Sequence, residues 1–280
     1  MFSRGPTPKP EPMMPALAIS IPSPPEQHDQ LLRTEVAQWI RRLGRASGAG
    51  AVWFERVNKP DWHLRVIASG GADWLEREAR PVLAHALERE VDGSRFIEPE
   101  LDDKWTGGLR VADRLAAFHR HDTLGCLEAI EADARGELGS RFHFSLQVVE
   151  ELLDGLDLHG AARLAFYRES FAWAIELGRW DRNVLDSLER TFAEQQDRLT
   201  TLIEPGDEPR RWPSAAGARI GRELTARIRE WVSSAATPPR DLAVYAAHSH
   251  SNRLGVHGGR EAALRYLVWR ARGGQPLALA

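Results

Sequence analysis

The sequence predicts an α+β fold: an N-terminal antiparallel or mixed sheet with helices, followed by a mostly helical C-terminal part, packed as one domain. Two observations carry this. Before residue 100, short apolar runs alternate with period two and are broken by turn residues, which reads as strands. Beyond Gly107-Gly108 the apolar residues recur every three or four positions, which reads as helices. No internal repeat interrupts either pattern.

Prolines at positions 6, 8, 10, 12 and 15 make residues 1–15 a disordered or extended lead, and the domain proper spans 16–280. Ala16–Ile21 is a first strand. Leu31, Leu32, Val36, Trp39, Ile40 and Leu43 mark an amphipathic helix that stops near Gly44. Residues 51–57 and 62–68, joined by Asn58-Lys-Pro-Asp61, form a β-hairpin. A helix over 73–89 and a strand over 95–99 follow. Val111, Leu115 and Phe118 line one helical stripe, and Phe142, Leu146, Val149, Leu153 and Leu156 line another. Further helices are expected at 161–177, 181–202, 217–233, 238–254 and 260–272, with a polar loop at 204–213.

Composition narrows the function classes. With 42% hydrophobic and 28% charged residues, the chain is an ordinary globule. A net charge of −3 gives no general attraction to nucleic acid. The single Cys126 precludes an intrachain disulfide, fits a reducing compartment, and reads as a buried small hydrophobe in a helix. Neither a membrane span nor a signal peptide is apparent, so the expectation is a cytoplasmic protein without membrane or nucleic-acid partners.

The richest chemistry lies in Tyr245-Ala-Ala-His-Ser-His-Ser-Asn-Arg-Leu-Gly255. Thr237-Pro238-Pro239 reads as the start of a helix and Gly255 as its stop. Tyr245, His248 and Asn252 then share one helix face. A phenol, an imidazole and an amide aimed together can donate, accept and move protons; a polar cluster capping the last carbonyls is the other reading. Zinc binding is the weaker alternative, because the rings of His248 and His250 diverge on a helix and no ligand follows at metal spacing.

Other candidates are spread along the chain. On the hairpin, His63, Arg65 and Ile67 point to one side of the strand, where an imidazole and a guanidinium can hold a carboxylate or a peptide carbonyl. Glu98–Gly108, with Lys104 and Trp105 before two glycines, can let a backbone approach closely. Phe118-His-Arg-His-Asp-Thr123 places polar groups at the end of an apolar stripe, and His119 and His121 lack further metal ligands. Tyr167 and Ser170, in mid-helix, either line a cavity or simply bond the backbone. Ten tryptophans against three tyrosines offer flat surfaces, with Trp53, Trp62, Trp105, Trp173 and Trp180 the candidates for stacking.

In order, Trp-His-Leu-Arg on a hairpin, Pro-Glu…Trp-Thr-Gly-Gly, Phe-His-x-x-Asp-Thr and a closing His-x-His-x-Asn-Arg-Leu-Gly resemble one family. It is the thiopeptide-type bacteriocin biosynthesis domain, which is also the elimination domain of class I lanthipeptide dehydratases. The resemblance covers about residues 16–272 and implies an enzyme that modifies ribosomally made precursor peptides. One branch eliminates glutamate from glutamylated Ser or Thr. A second joins two dehydroalanines by a formal aza-[4+2] cycloaddition and expels the leader peptide. Eliminating members resemble His-x-Arg-x-Arg on the hairpin, where this chain has Ile67 in place of the second arginine. They also carry Glu-Arg-Tyr-Gly-Gly where this chain has Asp103-Lys104-Trp105-Thr106-Gly107-Gly108. An anionic glutamyl leaving group calls for the planar fork of arginine, which isoleucine cannot supply and lysine supplies less specifically.

The departures favour a stand-alone pyridine synthase. Its expected catalytic residues are His248, His250, Tyr245 and Tyr167, and its substrate-binding residues His63, Arg65, Lys104, Trp105, Ser170, Asn252 and Arg253. No cofactor and no metal are expected. The partner is a modified precursor peptide, leader plus thiazole- and dehydroalanine-bearing core, alongside other biosynthetic enzymes. A glutamate-elimination enzyme is the runner-up, and a non-catalytic precursor-binding subunit the alternative of another class.

Overall fold

The computed structural model describes residues 15–44, 50–58, 60–88, 93–97, 110–176, 179–203, 212–234 and 240–277. The chain divides into two compact units, with the division after Arg120. Residues 1–14 of the expected proline-rich lead, the segment holding Lys104 and Trp105, and the Thr237–Pro239 helix start lie outside the described residues.

The first unit carries the sheet. Strands β1 (Ala16–Pro22), β2 (Ala51–Val57), β3 (His63–Ser69) and β4 (Arg95–Ile97) pair antiparallel in the order β2-β3-β1-β4. Because side chains alternate along a strand, the register sorts them onto two faces. One face bears Ile19, Ile21, Phe54, Leu64, Val66 and Ala68, all at most 2% exposed. Such complete burial contributes about 1.5–3 kcal/mol for each large side chain. Arg56 on this face pairs with Asp29 at 2.6 Å, which ties down α1 (Pro25–Leu31). Pro25 suits the first turn of that helix because its missing N–H would have had no partner there. A π-helical turn at Leu32–Val36 leads into α2 (Ala37–Gly44), whose Ile40 and Leu43 are buried. After β3 come α3 (Ala72–Trp74), a second π turn at Leu75–Ala79 and α4 (Arg80–Glu88).

The second face of the sheet starts apolar and turns polar. Ala18, Trp53 and Ile67 lie side by side across three strands and pack with Ala51 and Ala116. The next row holds Glu55, Arg65, Ser20 and Arg95.

The second unit is helical. Helix α5 (Arg110–Ala134) crosses the division and is followed by α6 (Arg141–Gly155), α7 (Gly160–Glu176) and α8 (Arg182–Ile203). Then come α9 (Ala215–Ser234), α10 (Arg240–Arg253) and α11 (Gly259–Ala271). Helix α10 packs on α6 and α7, and α11 on α7 and α8. Ser140 caps α6 by accepting the His143 amide at 3.3 Å. The expected stripe on α6 holds at Leu146, Val149 and Leu153, whereas Phe142 is 42% exposed. The aromatic that goes inward in that first turn is Phe144, whose ring meets Trp212 at 5.7 Å. Glu150, fully buried on α6, gathers Arg163 at 3.0 Å together with Arg272 and the Tyr167 hydroxyl.

Candidate active site

The C-terminal motif forms the helix that its spacing predicts. At its end Gly255 adopts φ 78°, the left-handed conformation that glycine takes without a Cβ penalty. The Val256 amide donates to the Ser251 carbonyl at 2.9 Å and the Gly255 amide to Asn252 at 3.0 Å. These two bonds are the Schellman closure of a helix C-terminus.

His248 and His250 stand two residues apart, about 200° around the helix axis, so their rings leave in opposite directions. The His248 side chain is 54% exposed, and its Nδ1 lies 2.7 Å from Oε2 of Glu261, a buried residue in the first turn of α11. The other Glu261 oxygen faces Arg265 Nη2 at 3.8 Å. That same nitrogen donates to Ser251 Oγ at 2.8 Å and to the Ala247 carbonyl at 3.3 Å, so one guanidinium joins the two helices.

His250 faces the interior. Its Nδ1 lies 2.6 Å from Oδ1 of Asp122 on α5, and Arg253 donates to the other Asp122 oxygen at 2.7 Å. All three side chains are essentially inaccessible. Burial by itself pushes the Asp122 carboxyl up, but the His250 imidazole and the Arg253 guanidinium outweigh it and hold the carboxyl at about 2. Cys126, buried as expected, places its sulfur 3.6 Å from His250 Nδ1 and 3.7 Å from Asp122 Oδ1. These three ligand-type atoms lie within 4.8 Å of one another. Their geometry suits a shared proton better than a metal. A 2.6 Å N···O separation is that of a charge-assisted hydrogen bond, and the second carboxylate oxygen already carries a guanidinium. His250 Nε2 is buried without a hydrogen-bond partner among the described residues.

The remaining expected residues are placed as follows. Tyr245 and Asn252 are half-buried on α10 with His248, at the predicted spacing. Arg253, expected to meet substrate, is fully committed to the interior. The Tyr167 hydroxyl donates to Glu150, and burial, followed by the Glu150 charge, pushes its ionisation well above the ordinary phenol range. Ser170 Oγ donates to the Phe166 carbonyl at 2.8 Å. On the sheet, His63 Nδ1 lies 2.8 Å from the Asp61 carbonyl, and Arg65 faces Glu55 at 3.8 Å. The Arg65 Nε is buried with no partner among the described residues. Of the tryptophans, Trp53 stacks on His119 and Trp180 on Phe171, both in the core, while Trp62 and Trp173 are half-buried.

Reading the sequence missed Glu261, Arg265 and Glu150, and recognised Asp122 only as part of a motif. Glu261 lies 13 positions after His248, beyond a glycine break, and no short-range spacing connects them.

A family profile described as "Lantibiotic biosynthesis dehydratase C-term" matches residues 17–272. Among solved structures, the tRNA-dependent lantibiotic dehydratase MibB from Microbispora sp. 107891 aligns with a TM-score of 0.69 at 17% identity. That alignment covers 96% of this chain and 28% of MibB, so the chain spans little more than a quarter of that dehydratase's length. TbtD, a pyridine synthase from thiomuracin biosynthesis, aligns with a TM-score of 0.63 at 17% identity, covering 91% of this chain and 97% of TbtD. TsrL aligns with a TM-score of 0.64 at 16% identity, covering 92% and 94%. At these identities the likeness is one of fold. No curated protein matches significantly.

Proposed function

Because the chain belongs to the lantibiotic biosynthesis dehydratase C-terminal family, we propose that it is a pyridine synthase acting on a modified precursor peptide. The observation that carries this reading is Ile67. Where eliminating members carry a second arginine, this chain has a side chain that is 3% exposed and packed against Trp53, Ala18 and Ala116. That position is apolar core and offers nothing to a departing glutamate.

Cycloaddition asks for proton transfer and alignment rather than an anion clamp. The amide that joins one dehydroalanine to its neighbour loses its N–H proton and gains one on oxygen, giving the iminol and thus a 2-azadiene. Two carbon–carbon bonds then form between the ends of this diene and the second alkene. Loss of water, then of the leader as its amide, makes the new ring aromatic; each loss takes a proton from the ring and gives one to the leaving group. His248 is the side chain suited to these transfers, being half-exposed with a carboxylate at its back. Holding both alkenes in contact lowers the barrier further by removing their freedom. Half-buried Trp62 and Trp173 are candidate surfaces for flat thiazoles.

One observation favours the runner-up, glutamate elimination. Arg65 is retained, its Nε lacks a partner among the described residues, and Glu55, the acid it faces, is at 3.8 Å. The purified chain, given a dehydrated thiazole-bearing precursor, should release a macrocycle and a free leader amide, read by mass spectrometry. Rapid stoichiometric glutamate release from a glutamylated precursor, with no macrocycle, would assign it to elimination.

A further inference from the structure

We propose that Glu261 is a positioning residue for His248, setting which ring nitrogen carries the proton. A carboxylate only accepts hydrogen bonds. With Glu261 Oε2 2.7 Å from Nδ1, the hydrogen sits on Nδ1, and the neutral ring keeps its lone pair on Nε2. Glu261 is held for this task. It is 2% exposed and lies in the first turn of α11, where the helix dipole favours a negative charge. Arg265, fully buried one turn later, stands 3.8 Å from its other oxygen. Arg265 is in turn fixed to α10 through Ser251 and Ala247, on the helix that carries His248. Carboxylate, guanidinium and imidazole thus form one braced unit across two helices, and only the imidazole is substantially exposed.

The functional half of this inference rests on His248 as the proton-transfer group of the proposed reaction; the positioning half can be measured without any substrate. Glu261→Gln is the discriminating variant. Arg265 is purely a donor, so the new amide oxygen turns toward it and the NH2 toward Nδ1. Nδ1 must then accept, and the neutral ring moves its hydrogen to Nε2. Histidine-labelled protein, with the His248 signals assigned through His248→Ala, should show the two imidazole nitrogen shifts exchanged in Glu261→Gln. His250 signals and far-UV circular dichroism should be unchanged, which separates a tautomer switch from misfolding. Glu261→Asp, which keeps the carboxylate, should retain the wild-type shift pattern. Turnover in Glu261→Gln should fall at least ~100-fold with leader affinity unaltered, the scale of a lost proton-transfer group. An unchanged shift pattern in a folded Glu261→Gln overturns the positioning role. Exchanged shifts with undiminished turnover overturn His248 as the proton-transfer group instead, so the two failures are told apart.

Discussion

Replacing Asp122 by Asn removes one negative charge from the interior while nearly preserving shape, and the structure supplies the magnitude. Asp122 is fully buried, accepts from His250 at 2.6 Å and from Arg253 at 2.7 Å, and so neutralises a guanidinium that is itself 0% exposed. Breaking such a pair from one side costs about 3–5 kcal/mol, because the surviving charge stays buried. Domains of this size hold only about 5–15 kcal/mol in all, so the variant should lose a large fraction of its stability. With a urea dependence of about 1–3 kcal/mol per molar, the midpoint should fall by roughly 1–5 M. Urea unfolding followed by far-UV circular dichroism reads this on the helical unit. Asp122→Leu combined with Arg253→Met removes both charges and should be less destabilised than Asp122→Asn alone. The pH dependence has a defined sign. The folded carboxyl is held at about 2 against an ordinary 3.8. That difference corresponds to stability on the order of 2 kcal/mol, fully present above about pH 4 and lost as pH falls toward 2. The advantage of wild type over Asp122→Asn should therefore narrow across that window. Coincident urea midpoints at neutral pH would refute the reasoning.

The two histidines of the motif should separate by assay. His248→Ala should cost less stability than His250→Ala, because the ring it removes is 54% exposed and Arg265 still faces Glu261, yet it should abolish conversion of the precursor. His250→Ala should lose about 2–4 kcal/mol, from a buried hydrogen bond and the cavity left behind, in thermal unfolding. Equal stability losses in the two variants would contradict their placement. Tyr167→Phe should cost about 1.5–3 kcal/mol by removing a hydrogen bond to buried Glu150, while the folded variant turns over precursor normally. Measured turnover that falls with no change in stability would return Tyr167 to the chemistry.

Local pattern made much of the fold legible. Alternation in residues 51–57 and 62–68 announced the hairpin, and Gly255 announced the end of its helix, because both signals are carried by neighbours in sequence. The pairing of β4 with β1 is a contact between distant segments, and pattern alone did not supply it. The candidate site was legible to the same extent. His248, His250 and their opposite directions follow from helix periodicity. The carboxylates behind them come from α5 and α11, where a single Asp or Glu looks like any solvated acid until packing brings it in. Arg253 misled for a related reason: an arginine at a helix end reads as surface, and only its contact with Asp122, 131 positions away, explains its burial.

The short connection between α10 and α11 has a consequence for how this chain can be engineered. Gly255 and Gly258 both take positive φ, and between them the chain reverses so that Glu261 returns to His248. Each residue added at the head of α11 would swing its side chains by about 100° and carry the carboxylate off the imidazole. The length of that turn is therefore a phase setting. A segment that the proposed chemistry does not use determines whether two reactive groups meet, so insertions tolerated in other surface loops should silence the site here.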